Sequence, residues 1–254
     1  MTAGLQGRKV ATGKCFSPVA FVLPEQSVEK IFWGDSVGSM AHVVGALYRM
    51  LEARLKVVWL HSGRVASLAA LLADWLGMGE EEQKIIYTAG LLHDIGKMGV
   101  PGGILFKPGR LTGEEWEEMK NHPVYSFNVL SPIPEMGTVS RLVLYHHERY
   151  DGRGYPAGLK GEEIPLGARI LAVADSYDAM TSHRVYRPAK SGSEALQELY
   201  RCAGTQFDPH VVEVFCRQAA RGGVECSLRQ PDLRALTIAL SPEKAGSKGR
   251  DLKG

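Results

Sequence analysis

The sequence predicts an all-α protein. Apolar residues recur every three or four positions along most of its 254 residues, the spacing that places them on one face of a helix. Helix-capping and helix-breaking residues stand between these segments, and no pair of alternating segments joined by a tight turn predicts a hairpin. The formal charge of +2, with 23% charged residues, does not by itself predict a nucleic-acid or membrane surface.

The first predicted helix follows an irregular leader. Residues 1–34 mix Gly, Pro and polar residues without sustained periodicity. Asp35–Ser36 is a plausible cap, and apolar positions from Met40 to Val58 then predict a helix of about 20 residues. Further helices are predicted at about 62–76, 80–97, 112–120, 139–150, 167–182, 193–203 and 209–220. The tail after Ser241 is rich in Lys, Gly and Ser and is predicted to be disordered.

Local signals justify the ends of these helices. Gly77 stops the second helix, and the acidic residues 80–82 suit the N-terminus of the third. Thr112 to Glu115 forms a capping box, and Pro123 suits a first helical turn after His122. Residues 151–158 are too rich in Gly and Pro to be helical, so they predict a loop.

The cysteines and the hydropathy pattern bear on the compartment. The four cysteines show no CxxC spacing and no dense disulfide framework, which favours a reduced, cytoplasmic environment. No apolar run approaches 18 residues, so no membrane span is predicted.

Five of the eight histidines and two aspartates form one ordered pattern of candidate metal ligands. They are His61, His93, Asp94, His122, His146, His147 and Asp175. Neutral imidazole and carboxylate are ligands that divalent metals take. Seven exceed the need of one ion, so the pattern predicts two metals that share a bridging carboxylate. Such a site can clamp both the attacking and the leaving oxygen of a phosphoryl displacement.

Two segments around these histidines carry further candidates. Lys97 lies four residues after His93 and three after Asp94, so on a helix it shares their face and can reach the same substrate; otherwise it is a solvated helix-end lysine. The adjacent residues His146–His147 can serve one metal only near a helix end or over a concave site. Glu148 is either an acceptor for an imidazole N–H or an exposed helix residue.

The segments HSGRVA, LLHDIGK, NHP, HHERYDGRGYP and ARILAVADSYDAMTS, in this order, resemble the HD-GYP family, a bacterial branch of the HD metal-dependent phosphohydrolases. The resemblance covers roughly residues 57–215. It implies a helical HD bundle with an irregular GYP loop, around two or three iron or manganese ions. It also implies hydrolysis of cyclic di-GMP to pGpG, and sometimes on to GMP, by a hydroxide that the metals share. By position it makes the seven residues above the ligands, with Asp94 as the bridge and Lys97 beside the leaving group.

The resemblance also implies substrate contacts and a metal count. Arg184 and Arg187 match a basic pair suited to phosphate or guanine; otherwise they are solvated helix-end arginines. Tyr155 is either a packing ring in a rigid turn or part of a surface for partners, and we include it among the candidate substrate contacts. Val57 stands where some family members carry a metal-binding glutamate, which predicts two metals here and not three.

Three parts of the chain follow from these observations. They are a leader with a long helix at 1–56, the HD-GYP catalytic domain at 57–223, and an extension with a disordered tail at 224–254. The long helix could dimerise or pack on the core, or be a vestigial input segment. Two other functions stay open: hydrolysis of another nucleotide, or a non-catalytic module whose GYP loop binds diguanylate cyclase domains. No DNA partner is predicted.

Overall fold

The described part of the protein is helical. The structure, a computed structural model, describes residues 38–182, 188–222 and 224. Its helices are α1 (Gly38–Arg54), α2 (Lys56–Trp75), α3 (Glu80–Leu92), α4 (Gly102–Leu105), α5 (Gly113–Met119), α6 (His122–Leu130), α7 (Gly137–Leu144), α8 (Leu166–Thr181), α9 (Gly192–Arg201) and α10 (Pro209–Ala219). Short 3₁₀ turns form at Ile95–Gly99, Pro134–Met136 and Gly161–Glu163. No strand forms within these ranges, which confirms the predicted all-α class.

Helix α2 lies at the centre of the core. It packs mainly against α3 and α8, and its Leu68 and Leu72 are fully buried. Gly90 of α3 permits a close approach, since a Cβ there would meet the Cα of Ala66 at 2.5 Å. The three helices α2, α3 and α8 therefore form the frame on which the candidate site is built.

Helix α1 packs on the same core. Its Met40, Val44 and Leu51 are buried, and it contacts α2 and α3. The apolar face that could have served a homodimer is therefore used within the chain, and dimerisation stays a prediction. Among the described residues, no helix combines the length and the apolar character that a membrane span requires.

Some helix ends differ from the predicted ones. The first predicted helix breaks at Leu55, whose φ of −134° and ψ of 58° are not helical, and whose buried side chain packs in the core. Helix α2 therefore begins at Lys56, and His61 lies inside it. Helices α3 and α7 end at Leu92 and Leu144, earlier than predicted, so their histidine pairs follow helix ends. The predicted capping box at Thr112 is confirmed.

Candidate metal centre

Three of the candidate histidines cap the helices that precede them. His93, His122 and His146 each donate from Nδ1 to the carbonyl oxygen three residues earlier, at 2.8, 2.8 and 2.6 Å. The accepting residues are Gly90, Met119 and Val143. These carbonyls lie in the last turns of α3, α5 and α7, where intrahelical donors run out. Because Nδ1 is the donor, each Nε2 keeps its lone pair for a metal.

His61 of α2 and Asp175 of α8 face each other where these two helices pack together. His61 Nε2 lies 2.9 Å from Asp175 Oδ1, and His61 Nδ1 lies 2.6 Å from Asp178 Oδ2. Arg64 binds Asp178 with its Nε at 2.5 Å and its Nη2 at 2.9 Å. The sequence patterns above single out neither Asp178 nor Arg64. The available signal was the spacing of Asp175 and Asp178, which places two carboxylates on one helix face.

Asp94 belongs to one of two groups of ligand atoms and faces the other. The groups are His61, His93 and Asp94, called the His61 group, and His122, His146 and His147, called the His122 group. Within each group the ligand atoms lie within 4.8 Å of one another. Asp94 Oδ2 is 3.4 Å from His93 Nε2, and Asp94 Oδ1 is 3.3 Å from His122 Nε2. One carboxylate therefore faces both groups, which is the geometry that a bridging ligand needs.

The chemical state of these atoms fits divalent cations. The Nε2 atoms of His93, His122 and His146, and Oδ1 of Asp94, are buried without a hydrogen-bond partner in the described part of the chain. Buried polar atoms without partners are costly, so their convergence fits bound ions. Burial lowers the pKa of His122 to about 3 and that of His147 to about 4. Both imidazoles are then neutral near pH 7, as metal ligation requires.

Lys97 lies beside Asp94 at the edge of this site. Its Nζ is 2.6 Å from Asp94 Oδ2, and its side chain is 24% exposed. Burial alone would raise the pKa of Asp94, but Lys97 and His93 hold that pKa well below its ordinary range. The 3₁₀ turn that carries Lys97 can pack tightly on α6 because residue 96 is a glycine; a Cβ on Gly96 would meet the carbonyl oxygen of His122 at 2.1 Å.

Glu148 holds the GYP loop, residues 151–158, against the turn that carries His146 and His147. Its Oε1 accepts hydrogen bonds from the backbone N–H groups of Ala157 and Gly158, at 2.7 and 3.0 Å. The residue is 3% exposed. Both interpretations of Glu148 from the sequence are therefore wrong. Because α7 ends at Leu144, the turn directs Glu148 toward the loop instead of toward solvent or an imidazole N–H.

Tyr155, in this loop, lies against a candidate ligand. Its ring centroid is 5.0 Å from that of His147, and Lys120 Nζ lies 5.9 Å from the Tyr155 centroid. Burial, together with nearby carboxylates, raises the pKa of Tyr155 above its ordinary value, so its hydroxyl stays protonated and can donate. The other candidate substrate contacts, Arg184 and Arg187, lie outside the described residues.

The sequence matches the HD domain family over residues 45–211. This match covers more than half of the chain, so the chain belongs to the HD domain family. The resemblance to its HD-GYP branch, inferred above from the motifs, is also confirmed.

Individual relatives agree with this assignment. The chain is 42% identical over 203 residues to a cyclic di-GMP phosphodiesterase of Thermotoga maritima. This aligned region covers 77% of this chain and 53% of that protein. It is 46% identical over 165 residues to the cyclic di-GMP phosphodiesterase response regulator RpfG of Xanthomonas campestris, covering 62% of this chain and 42% of that protein. The chain thus spans about half the length of these curated relatives.

A solved structure shows the same fold. The HDG"Y"P protein Bd1817 from Bdellovibrio bacteriovorus superposes with a TM-score of 0.55 at 17% identity, and the match covers 83% of this chain and 74% of that one. At this identity the likeness concerns the fold alone, and it confirms the predicted HD helical bundle.

Proposed function

We propose that this protein is a metal-dependent phosphodiesterase that hydrolyses cyclic di-GMP to linear pGpG, and the family resemblance leaves hydrolysis of pGpG to GMP open. One observation carries the proposal: the Asp94 carboxylate faces two groups of ligand atoms and contacts Lys97. The names of the relatives support the substrate class. Since the chain spans about half their length, its activity and substrate are both part of the proposal.

We assign two divalent ions, iron or manganese, to the site. The His61 group with Asp175 would hold one, the His122 group would hold the other, and Asp94 would be shared. When bound, the pair acidifies a water for attack at phosphorus and neutralises phosphate charge. The chain's own contribution is to aim the Nε2 atoms of His93, His122 and His146 inward and, through burial, to keep the His122 and His147 imidazoles neutral. Val57 is aliphatic and 82% exposed, so it offers no ligand for a third ion.

The remaining residues have proposed roles toward the substrate. The Lys97 ammonium would meet the negative charge that grows on the leaving 3′ oxygen. The Tyr155 hydroxyl would donate to the nucleotide where the GYP loop borders the site. Arg184 and Arg187 are proposed to contact phosphate or guanine on the strength of the family resemblance.

A substrate panel tests this function. Metal-free protein, reloaded anaerobically with Fe²⁺ or Mn²⁺, is incubated with cyclic di-GMP, a hybrid cyclic dinucleotide, pGpG and a nucleoside phosphate, and the products are separated by chromatography. We expect cyclic di-GMP to yield pGpG only in the metal-loaded protein. Faster cleavage of another nucleotide would change the substrate but keep the reaction. No cleavage of any would favour the non-catalytic module that binds diguanylate cyclase domains. That partner, the homodimer and the cytoplasmic compartment stay predictions.

A further inference from the structure

His61 is held differently from three of the other candidate ligands. His93, His122 and His146 follow helix ends, and each donates Nδ1 to a backbone carbonyl of the helix that it caps. His61 lies inside α2, where the carbonyl groups are engaged by the helix itself. Its Nδ1 therefore needs a partner from elsewhere in the fold.

Asp178 supplies that partner. Its Oδ2 lies 2.6 Å from His61 Nδ1, and the residue is 1% exposed. Arg64 binds both carboxylate oxygens, and the Ser182 hydroxyl donates to Oδ2 at 3.2 Å. Arg64 Nη2 also donates to Ser182 Oγ at 3.0 Å. The charge of this buried carboxylate is thus compensated, and its orientation is set by two further residues.

Both nitrogens of the His61 ring therefore meet carboxylates of α8. Asp175 is 2.9 Å from Nε2, and Asp178, one turn further along the same helix face, binds Nδ1. With Nδ1 as the donor, the bond to Asp178 fixes the tautomer and the ring plane and leaves Nε2 directed into the His61 group. A carboxylate on the far nitrogen also makes an imidazole a more basic ligand.

We propose that Asp178, itself fixed by Arg64, is a positioning residue that orients His61 and sets the affinity of the metal on the His61 side. The inference rests on the proposed metal centre but not on the identity of the nucleotide. His122 and His146 take their orientation from backbone carbonyl groups of the helices that precede them, α5 and α7. Loss of Asp178 should therefore lower the affinity for the ion of the His61 group and leave the affinity for the other ion unchanged.

The test compares Asp178→Asn with Asp208→Asn in the full chain. Asn keeps an oxygen acceptor at residue 178 but removes the negative charge of the carboxylate that binds both His61 and Arg64. Asp208 is a matched control, because it is also buried and pairs with an arginine of α8, Arg169. Asp208 also caps α10, a role that Asn can take. Mn²⁺ is titrated into metal-free protein, and free and bound ions are quantified by electron paramagnetic resonance.

The wild type and Asp208→Asn are expected to bind a pair of exchange-coupled Mn²⁺ ions. In Asp178→Asn the affinity for one ion should be unchanged. The affinity for the other should fall by roughly 10–100-fold, the usual scale for losing a residue that orients a ligand. The spectrum at low occupancy should then be that of an isolated ion. Two wild-type affinities in this variant would overturn the proposal. Loss of both ions from a folded chain would also overturn it, because the role of Asp178 would then be general.

If circular dichroism shows that Asp178→Asn does not fold, Arg64→Ala replaces it. The Arg64 side chain is 26% exposed, so its removal leaves a smaller buried cavity than the removal of a fully buried side chain would. The affinity for the same ion should fall several-fold, because the Asp178 carboxylate loses the guanidinium group that fixes it. An unchanged affinity would overturn the proposal. Failure of the proposed function is distinguishable, since both ions would bind while cyclic di-GMP stays intact. A wild type that binds neither Mn²⁺ nor, under anaerobic conditions, Fe²⁺ would overturn both.

Discussion

Replacing Lys97 with Ala removes an ammonium from the edge of the proposed centre without removing a ligand. A protonated amine has no lone pair for a metal, and Lys97 belongs to neither ligand group. The His61 group and the His122 group keep all their atoms in this variant. We therefore expect metal content near that of the wild type.

The expected loss of activity follows from the position of the ammonium. Lys97 Nζ lies 2.6 Å from the carboxylate that faces both ligand groups, and its side chain is partly exposed. Losing one positioned donor to developing charge costs roughly 10²–10³-fold in kcat, or about 2.7–4 kcal/mol. KM should change less, because the contact strengthens mainly in the transition state.

Steady-state kinetics on cyclic di-GMP, paired with metal quantification, measure both quantities. Lys84→Ala is the control, because Lys84 also binds carboxylates, those of Glu80 and Glu81, but at the opposite end of α3 from His93. A wild-type kcat in metal-replete Lys97→Ala would refute the catalytic role and leave Lys97 as an ion-pair partner of Asp94. Loss of metal along with activity would instead assign its charge to assembly of the centre.

Four other outcomes are expected. Asp94→Ala should lose both metals or nearly so, since no neighbour replaces a shared carboxylate; full metal content by elemental analysis would disprove the bridge. Glu148→Ala leaves two backbone N–H groups of the GYP loop without their acceptor, at about 1–3 kcal/mol each, so amide hydrogen exchange at 157 and 158 should accelerate, and unchanged protection would contradict this. Val57→Glu should permit a third ion if this face of α2 is directed at the centre, whereas three tightly bound ions in the wild type would show that our count is wrong. In metal-free protein, burial holds the pKa of His122 at about 3 and that of His147 at about 4, below the value of about 6.5 in the unfolded chain. The unfolded state therefore takes up protons first, so the melting temperature should fall as pH decreases from about 6.5 toward 4, and a flat profile would exclude this explanation.

Local sequence signals were sufficient for most helices. Thr112 and Glu115 supply hydrogen-bond acceptors for each other's backbone N–H groups at the start of α5, and they are only three residues apart. The apolar spacing in residues 167–182 predicts both ends of α8 to within one residue. Such signals can be recognised in the sequence because each acts over a turn or two. The ordered histidines and aspartates, with the GYP segment, were likewise sufficient for the family and the fold.

Helix ends and the contacts of buried polar residues could not be obtained in this way. The break at Leu55 depends on how α1 packs over α2, and the direction of Glu148 depends on where α7 stops. Periodicity continues past both points, so the sequence predicted helix there.

The sequence by itself determined the order of the side chains whose chemistry suits a metal, and most of the helices around them, because residue chemistry and helical periodicity are local properties. Only the tertiary structure decided that Asp94 faces both ligand groups and that Asp178 holds His61. His61 and Asp178 are 117 residues apart in the chain, and their hydrogen bond exists only because α2 packs on α8. A contact that two helices form by packing is set by the whole core, and no segment of either helix specifies it alone.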